Sequence, residues 1–364
     1  MERTFLEIES LAEFDAHIAI ATHLDGWLVQ SVDLSERSTE LRRVDPAGAM
    51  FLGCTLTDRT HLSLVRRGAH VFPRLGAVPF NPYRARLYTA AELYDTPHYA
   101  DSLDARVYDW LQSRLPHPAL PDTLAMTLHD HAVTDALDEL HIARDATVGI
   151  MGGHKLRRDE EGYAAAAHLS ATLTERGAVV LTGGGPGAME AANLGARYAG
   201  CQGLLDDACA ELARVPSFLP DIDAWAASAL SVLDHCPADA HGVSIGIPTW
   251  HFGHEPPNVF ATHIAKYFHN ALREDELLRC ARAGIVCLPG AAGTVQEIFQ
   301  ATTINYYATD AEPVVPMVLV GRAYWTDVLP AWQLLSALGA GRRMEHVIHL
   351  VDDPAEVPEL LRIR

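Results

Sequence analysis

Few folds can accommodate residues 284–299, Gly-Ile-Val-Cys-Leu-Pro-Gly-Ala-Ala-Gly-Thr-Val-Gln-Glu-Ile-Phe. The apolar run Gly284 to Leu288 stops at Pro289. Small residues then carry the chain to Gly293-Thr294, after which Val295, Ile298 and Phe299 fall at helical spacing. That pattern reads as strand, tight turn, helix. Such a turn leaves backbone N–H groups unpaired at the positive end of a helix, and small side chains let an anion approach them. Gly290, Gly293 and Thr294 are therefore a candidate phosphate cradle. Glu297, one turn further on, places a carboxylate where the sugar of a held phosphate would lie. Taken alone, the stretch fits an ordinary strand-to-helix connection with a solvated glutamate equally well.

The surrounding chain has the periodicity of a parallel sheet. Thr147 to Met151 is a short apolar strand ending in Gly152-Gly153-His154-Lys155, followed by an Ala-rich helix over Tyr163 to Arg176. The strand Ala178 to Leu181 runs into Thr182-Gly183-Gly184-Gly185-Pro186-Gly187 and a helix from Ala188 to about Tyr198. Glycines thus stand at the carboxyl end of each strand, where open parallel sheets bind ligands. Further strands are expected at Val243 to Ile247, Gly284 to Leu288, Val314 to Val320 and His346 to Val351, with a last helix near Pro354 to Leu361. Residues 202–240 interrupt the alternation with two helical stretches, Leu204 to Ala213 and Ala224 to Leu233, read as an insertion near the site. The expected fold is α/β, a doubly wound parallel sheet over residues 145–364, preceded by an α+β region over 1–144. Gly183-x-Gly185-x-x-Ala188 meets a relaxed dinucleotide fingerprint. Asp206 has the spacing of its acidic partner, but residues 202–211 do not read as the strand that partner needs.

The first 140 residues have another texture. Leu11 to Ile20 reads as a helix and Trp27 to Val32 as a strand, while Leu41 to Leu56 places Leu and Phe near five-residue spacing and reads as an irregular β-rich segment. Prolines 73, 79 and 82 punctuate a loop-rich passage before two helices, His98 to Leu115 and Thr123 to His141, the second capped by Pro121-Asp122. His129-Asp130-His131 lies in the second helix. Adjacent helical residues point about 100° apart, so solvated positions fit better there than a metal site.

Composition narrows the function. A formal charge of -19 argues against a nucleic-acid groove, because neutralising a phosphate backbone takes clustered Lys and Arg. Six cysteines without a C-x-x-C pair fit a reducing cytoplasm. The glutamates at 2, 7 and 9 do not make a signal peptide, and no run approaches the ~20 apolar residues of a membrane span.

Four segments carry a family resemblance: Val-Gly-Ile-Met-Gly-Gly-His at 148–154, Leu-Thr-Gly-Gly-Gly-Pro-Gly-Ala-Met-Glu-Ala-Ala at 181–192, Glu-Pro-Pro-Asn at 255–258 and Pro-Gly-Ala-Ala-Gly-Thr-Val-Gln-Glu at 289–297. Together they resemble the LOG superfamily, long mislabelled as lysine decarboxylases, and within it are most similar to the bacterial nucleotide 5′-monophosphate nucleosidases. The resemblance covers about residues 145–335. Ala291 stands where the family has a second glycine. Arg273 best matches the family's upstream catalytic arginine across one extra residue, with Arg279 as its competitor.

The resemblance implies hydrolysis of the N-glycosidic bond of a nucleoside monophosphate to free base and ribose 5-phosphate, with no metal and no cofactor. Glu297 would stabilise an oxocarbenium-like transition state and act as general base toward water, with Arg273 orienting it or binding phosphate. Gly290, Gly293 and Thr294 would hold the phosphate. Gly153 and Gly183, Gly184, Gly185 and Gly187 would let the nucleotide lie against backbone. Glu190 either contacts sugar or base or stabilises the first turn of its helix, and Asn258 either contacts substrate or braces a loop. Histidines 251, 254, 263 and 269 are a rival metal set, better read as lining a nucleotide pocket. The resemblance also implies a homodimer or larger assembly through the helices around residues 261–283 and 297–307, whose apolar stripe includes Tyr267, Phe268, Ile298, Phe299, Ile304, Tyr306 and Tyr307. No nucleic acid or membrane partner is expected. The alternative is a non-catalytic nucleotide-sensing or partner-binding protein, and the presence of Glu297 with an upstream arginine favours the enzyme.

Overall fold

The computed structural model describes residues 6–76, 78–236, 242–251 and 255–363. The chain forms two compact units, Met1–Leu87 with Trp110–Leu137, and Tyr88–Asp109 with Asp138–Arg364. Residues 88–109, read from the sequence as part of the N-terminal region, pack with the second unit. Among the described residues no helix is long and apolar enough to cross a membrane.

The first unit contains four short parallel strands in sequential order: β1 (Leu6–Ile8), β2 (Trp27–Gln30), β3 (Met50–Leu52) and β4 (His70–Phe72). Ile8, Val29, Phe51 and Val71 stand opposite one another down this sheet, at intervals of 21, 22 and 20 residues. Helices Leu11–Ile18, Ser38–Arg43 and Asp58–Arg66 make the returns. Each coil buries its apolar face against the next, as stacked repeats do. The expectation of an irregular β-rich segment over 41–56 is met in part, by β3 and by isolated bridges at Asp45 and Thr55. That stretch holds the end of one return helix and β3, and the structural period is about four times the five-residue spacing. His129 and Asp130 are corrected: both are buried, 3.2 Å apart, with Phe80 edge-on to the imidazole, while His131 alone is exposed.

The second unit is a seven-stranded, all-parallel sheet. Its strands are β5 (Thr147–Met151), β6 (Val179–Thr182), β7 (Ser244–Gly246), β8 (His263–Ile264), β9 (Gly284–Cys287), β10 (Met317–Val320) and β11 (Ile348–Val351), in the order β11-β10-β9-β5-β6-β7-β8. The central strands are buried on both faces, which is why they read as unbroken apolar runs. From β5 the chain proceeds outward through β6, β7 and β8, then returns to the other side of β5 as β9. Strand order therefore reverses between β5 and β9, and a doubly wound sheet opens a crevice at such a point, outside the carboxyl ends of its strands.

The Glu161–Glu175 and Ala188–Arg197 helices pack very closely beside β5 and β6. A Cβ on Gly195 would stand 1.9 Å from the Ala167 carbonyl oxygen. Gly195→Ala should therefore cost about 1–3 kcal/mol by overpacking. Gly203→Ala, where a Cβ meets nothing within 4 Å, should be neutral or stabilising. Thermal denaturation of the pair checks this, and equal midpoints would contradict it.

Residues 88–109 work as a strap on this unit. Tyr88 exchanges backbone hydrogen bonds with Ile264. Asp104, itself buried, accepts from Lys266 Nζ at 2.5 Å, Trp250 Nε1 at 2.8 Å and Tyr99 Oη at 2.7 Å, and Tyr94 Oη donates to the Pro257 carbonyl at 2.6 Å. The buried lysine is paired and hydrogen-bonded, as a buried charge must be. These contacts fix Trp250 and Pro257, close in sequence to Pro248, Thr249 and Glu255, which line the site.

Candidate active site

At the β5/β9 crevice a cavity of about 350 Å³ opens over the start of the Ala292–Tyr307 helix. The helix begins after Ala291 without a side-chain cap. Its first-turn amides, those of Ala292, Gly293 and Thr294, donate to no protein acceptor among the described residues. The turn before them is pinned: the Gly153 amide donates to the Pro289 carbonyl at 3.0 Å, and Tyr324 Oη donates to the Gly290 carbonyl at 2.8 Å. A Cβ on Gly290 would stand 2.2 Å from Thr294 Oγ1, so this glycine permits the turn. The result is a rigid rosette of donors at a positive helix end, facing a cavity.

Glu297 is one turn along the same helix and is buried. Arg273, from the Asn270–Cys280 helix, reaches it with Nη1 at 3.4 Å. The guanidinium is held on every side: Nε donates to the Ile247 carbonyl at 2.7 Å, Nη1 to Glu274 Oε1 at 2.5 Å and Nη2 to the Gly183 carbonyl at 3.4 Å. Gly183 makes room for it, since a Cβ there would stand 2.4 Å from Arg273 Nη2. Arg279 is elsewhere. Six residues on, it projects about 120° around the helix and pairs with Glu276 and, at 2.8 Å, with Asp138.

Burial is the main influence on the Glu297 carboxyl and raises its pKa from the ordinary 4.5 to about 7; Arg273 opposes the rise and Glu274 adds to it. The carboxyl thus changes charge near neutrality, as a general base for water requires. It also affects stability. Between pH 4.5 and about 7 the folded protein holds a proton that the unfolded chain has released, so stability falls as pH rises through that window.

Of the residues singled out from sequence, Gly153, Gly183, Gly185, Arg273, Gly293, Thr294 and Glu297 line this one cavity. Gly184, Gly187, Glu190, Asn258 and Gly290 do not. Gly187 is a backbone device: its φ is +72°, and a Cβ would lie 2.5 Å from the Gly153 carbonyl oxygen. The Gly184 amide is taken by Thr182 Oγ1 and its carbonyl by the Asn258 amide. Asn258 braces the loops, donating to Gly185 O and Asn193 Oδ1 and accepting from the Phe260 and Ala261 amides. Glu190 is not available to a sugar in the cavity. Both its oxygens are held by the buried Arg158 fork, at 3.0 and 2.5 Å, on the wall of an adjoining cavity of about 290 Å³ that shares His154 and that Phe218 and Trp225 of the 202–240 insertion help to line. His254 of the rival metal set lies outside the described residues, and the other three histidines form no ligand cluster among the described residues.

Sequence reasoning did not single out Asn270, Glu274 or the His154–Glu255 pair, whose Nδ1 and Oε1 lie 3.1 Å apart, all on this cavity. A carboxylate directly beside the arginine was the one signal for Glu274.

The fold and cavity define a doubly wound α/β protein with unengaged helix-start amides at its switch point and a buried, arginine-held carboxylate beside them. Two family models match this part of the chain: "Possible lysine decarboxylase" over residues 230–361 and "SLOG cluster4 family" over residues 145–205. The matches support the LOG/SLOG superfamily for the region they cover. No curated protein matches the chain.

Proposed function

We propose that the protein is a nucleoside 5′-monophosphate phosphoribohydrolase, cleaving the N-glycosidic bond to free base and ribose 5-phosphate. The observation that carries this reading is the placement of a buried, arginine-held Glu297, titrating near 7, one helical turn beyond three unengaged amides at a helix start. The phosphate docks on the amides of Ala292, Gly293 and Thr294. The anomeric carbon then lies within reach of Glu297. As the bond to the base lengthens, positive charge grows on the sugar ring, and the carboxylate stabilises it while taking a proton from the attacking water. The departing base carries away the bonding electron pair and gains one proton; Glu297 gives up the proton it took from water, which balances the count and restores the carboxylate. Arg273 fixes the carboxylate's orientation and limits its rise in pKa.

Each charge-assisted hydrogen bond to phosphate contributes about 1.5–3 kcal/mol, and a nucleoside forfeits all of them. AMP should therefore be cleaved at least about a hundredfold more efficiently than adenosine. Measuring kcat/KM for AMP, the other monophosphates and their nucleosides checks this, and equal cleavage contradicts the cradle.

We also propose a homodimer or larger assembly. The stripe expected to serve it is smaller than the sequence suggested, because Tyr267, Phe268 and Ile298 are core, whereas Ile304 and Tyr307 are 46% and 74% exposed. Light scattering on the active protein tests it, and a fully active monomer counts against it.

A further inference from the structure

We propose that Asn270 and Glu274 form a sugar-hydroxyl recognition pair that makes the site selective for ribonucleotides over 2′-deoxyribonucleotides; this rests on the nucleotide reading above. Asn270 Oδ1 and Glu274 Oε2 are buried acceptors without a hydrogen-bond partner, and both side chains line the reaction cavity. They are four residues apart on the Asn270–Cys280 helix and so share one face. Glu274 is only 2% exposed, and its other oxygen is anchored on Arg273 Nη1 at 2.5 Å. The carboxylate therefore cannot swing away to find water. A buried acceptor left unpaired is costly, and these two belong to side chains that line one cavity, from which a ligand can bring donors.

The chemistry of a nucleoside monophosphate restricts which part can supply them. Its phosphate offers acceptors and is repelled by a carboxylate, so it belongs on the helix-start amides. The ribose hydroxyls are donors that every ribonucleoside monophosphate shares, and the 2′-hydroxyl sits on the carbon next to the anomeric centre. Arg273 links Glu274 to Glu297 through a single guanidinium nitrogen, so the carboxylate that binds hydroxyl and the carboxylate that acts at the anomeric carbon occupy one corner of the site. Without its 2′-hydroxyl the sugar leaves an acceptor unpaired again, and a site built to hydrogen-bond a hydroxyl rejects the analogue that lacks it. Intrinsic reactivity runs the other way. A 2-deoxy sugar forms the oxocarbenium ion more readily, having no electron-withdrawing hydroxyl on the carbon beside the cationic one. A preference for ribose must therefore come from the protein.

The test compares AMP with dAMP as substrates, and ribose 5-phosphate with 2-deoxyribose 5-phosphate as ligands by calorimetry, in the wild type and in Asn270→Ala and Glu274→Gln. The wild type should favour AMP by at least about thirtyfold in kcat/KM and bind ribose 5-phosphate at least about tenfold more tightly than its deoxy counterpart. Asn270→Ala should bring both ratios down by about tenfold, mainly through poorer handling of the ribo compounds. Glu274→Gln keeps the side chain's size and should lower the ratios in the same direction. Equal handling of AMP and dAMP by the wild type, or ratios unmoved in both variants, overturns the proposal. Should no nucleotide release its base, the hydrolase reading fails, and the two pentose phosphates still decide this one: equal affinity overturns it, and a ribose preference lost in Asn270→Ala upholds it.

Discussion

Glu297→Gln should abolish turnover, lowering kcat by at least about a thousandfold, while nucleotide affinity stays within a few-fold of wild type. General-base action and electrostatic stabilisation each contribute about 10²–10³-fold, and the amide removes both without changing the side chain's size. Ground-state binding survives because the phosphate is held by backbone amides of Ala292, Gly293 and Thr294 rather than by this carboxylate. The variant should fold, since Arg273 keeps its bonds to Glu274, Ile247 and Gly183. It should also lose two pH effects together: the rise of wild-type kcat/KM through about pH 7, and the decline in stability between pH 4.5 and about 7. Steady-state kinetics, calorimetry with AMP and pH-dependent denaturation read these out. Turnover within a few-fold of wild type would remove Glu297 from the mechanism.

Arg273→Ala should lower kcat/KM at least about a hundredfold and destabilise the protein by roughly 3–5 kcal/mol, because Glu274 and Glu297 would be left buried without their shared cation. Arg273→Lys keeps the charge and loses the fork that reaches Ile247, Glu274, Glu297 and Gly183 at once. It should fold better than the alanine variant and still fall well short of wild-type activity. Arg279→Ala removes a partly exposed arginine from its pairs with Asp138 and the buried Glu276, away from the cavity, and should leave activity within a few-fold. The opposite ranking of the two arginines would move the catalytic assignment from one to the other.

The sheet around the site was legible where local chemistry decides. Thr147–Met151 is an unbroken apolar run closed by glycines, and the structure makes a strand of those five residues. The turn after β9 was legible because small residues between an apolar strand and a helical pattern leave the backbone few alternatives. What was hidden depends on distant partners. Asp104 was unremarkable until Lys266, 162 residues on, and Trp250 closed on it, which draws residues 88–109 into the second unit. Glu190 carried a family motif, but its partner is Arg158, 32 residues upstream on the other cavity. In the first unit the strands are only three or four residues long, too short for alternation to show. The period that matters is the interval between Ile8, Val29, Phe51 and Val71, not the spacing within any one coil.

The hydrolase reading is tested most directly by incubating the purified protein with AMP, GMP, CMP, UMP and IMP and resolving the products by chromatography. Free base and ribose 5-phosphate should appear in equal amounts from at least one of them, and neither should form with Glu297→Gln. No base release from any monophosphate, or equal release by that variant, would contradict the account.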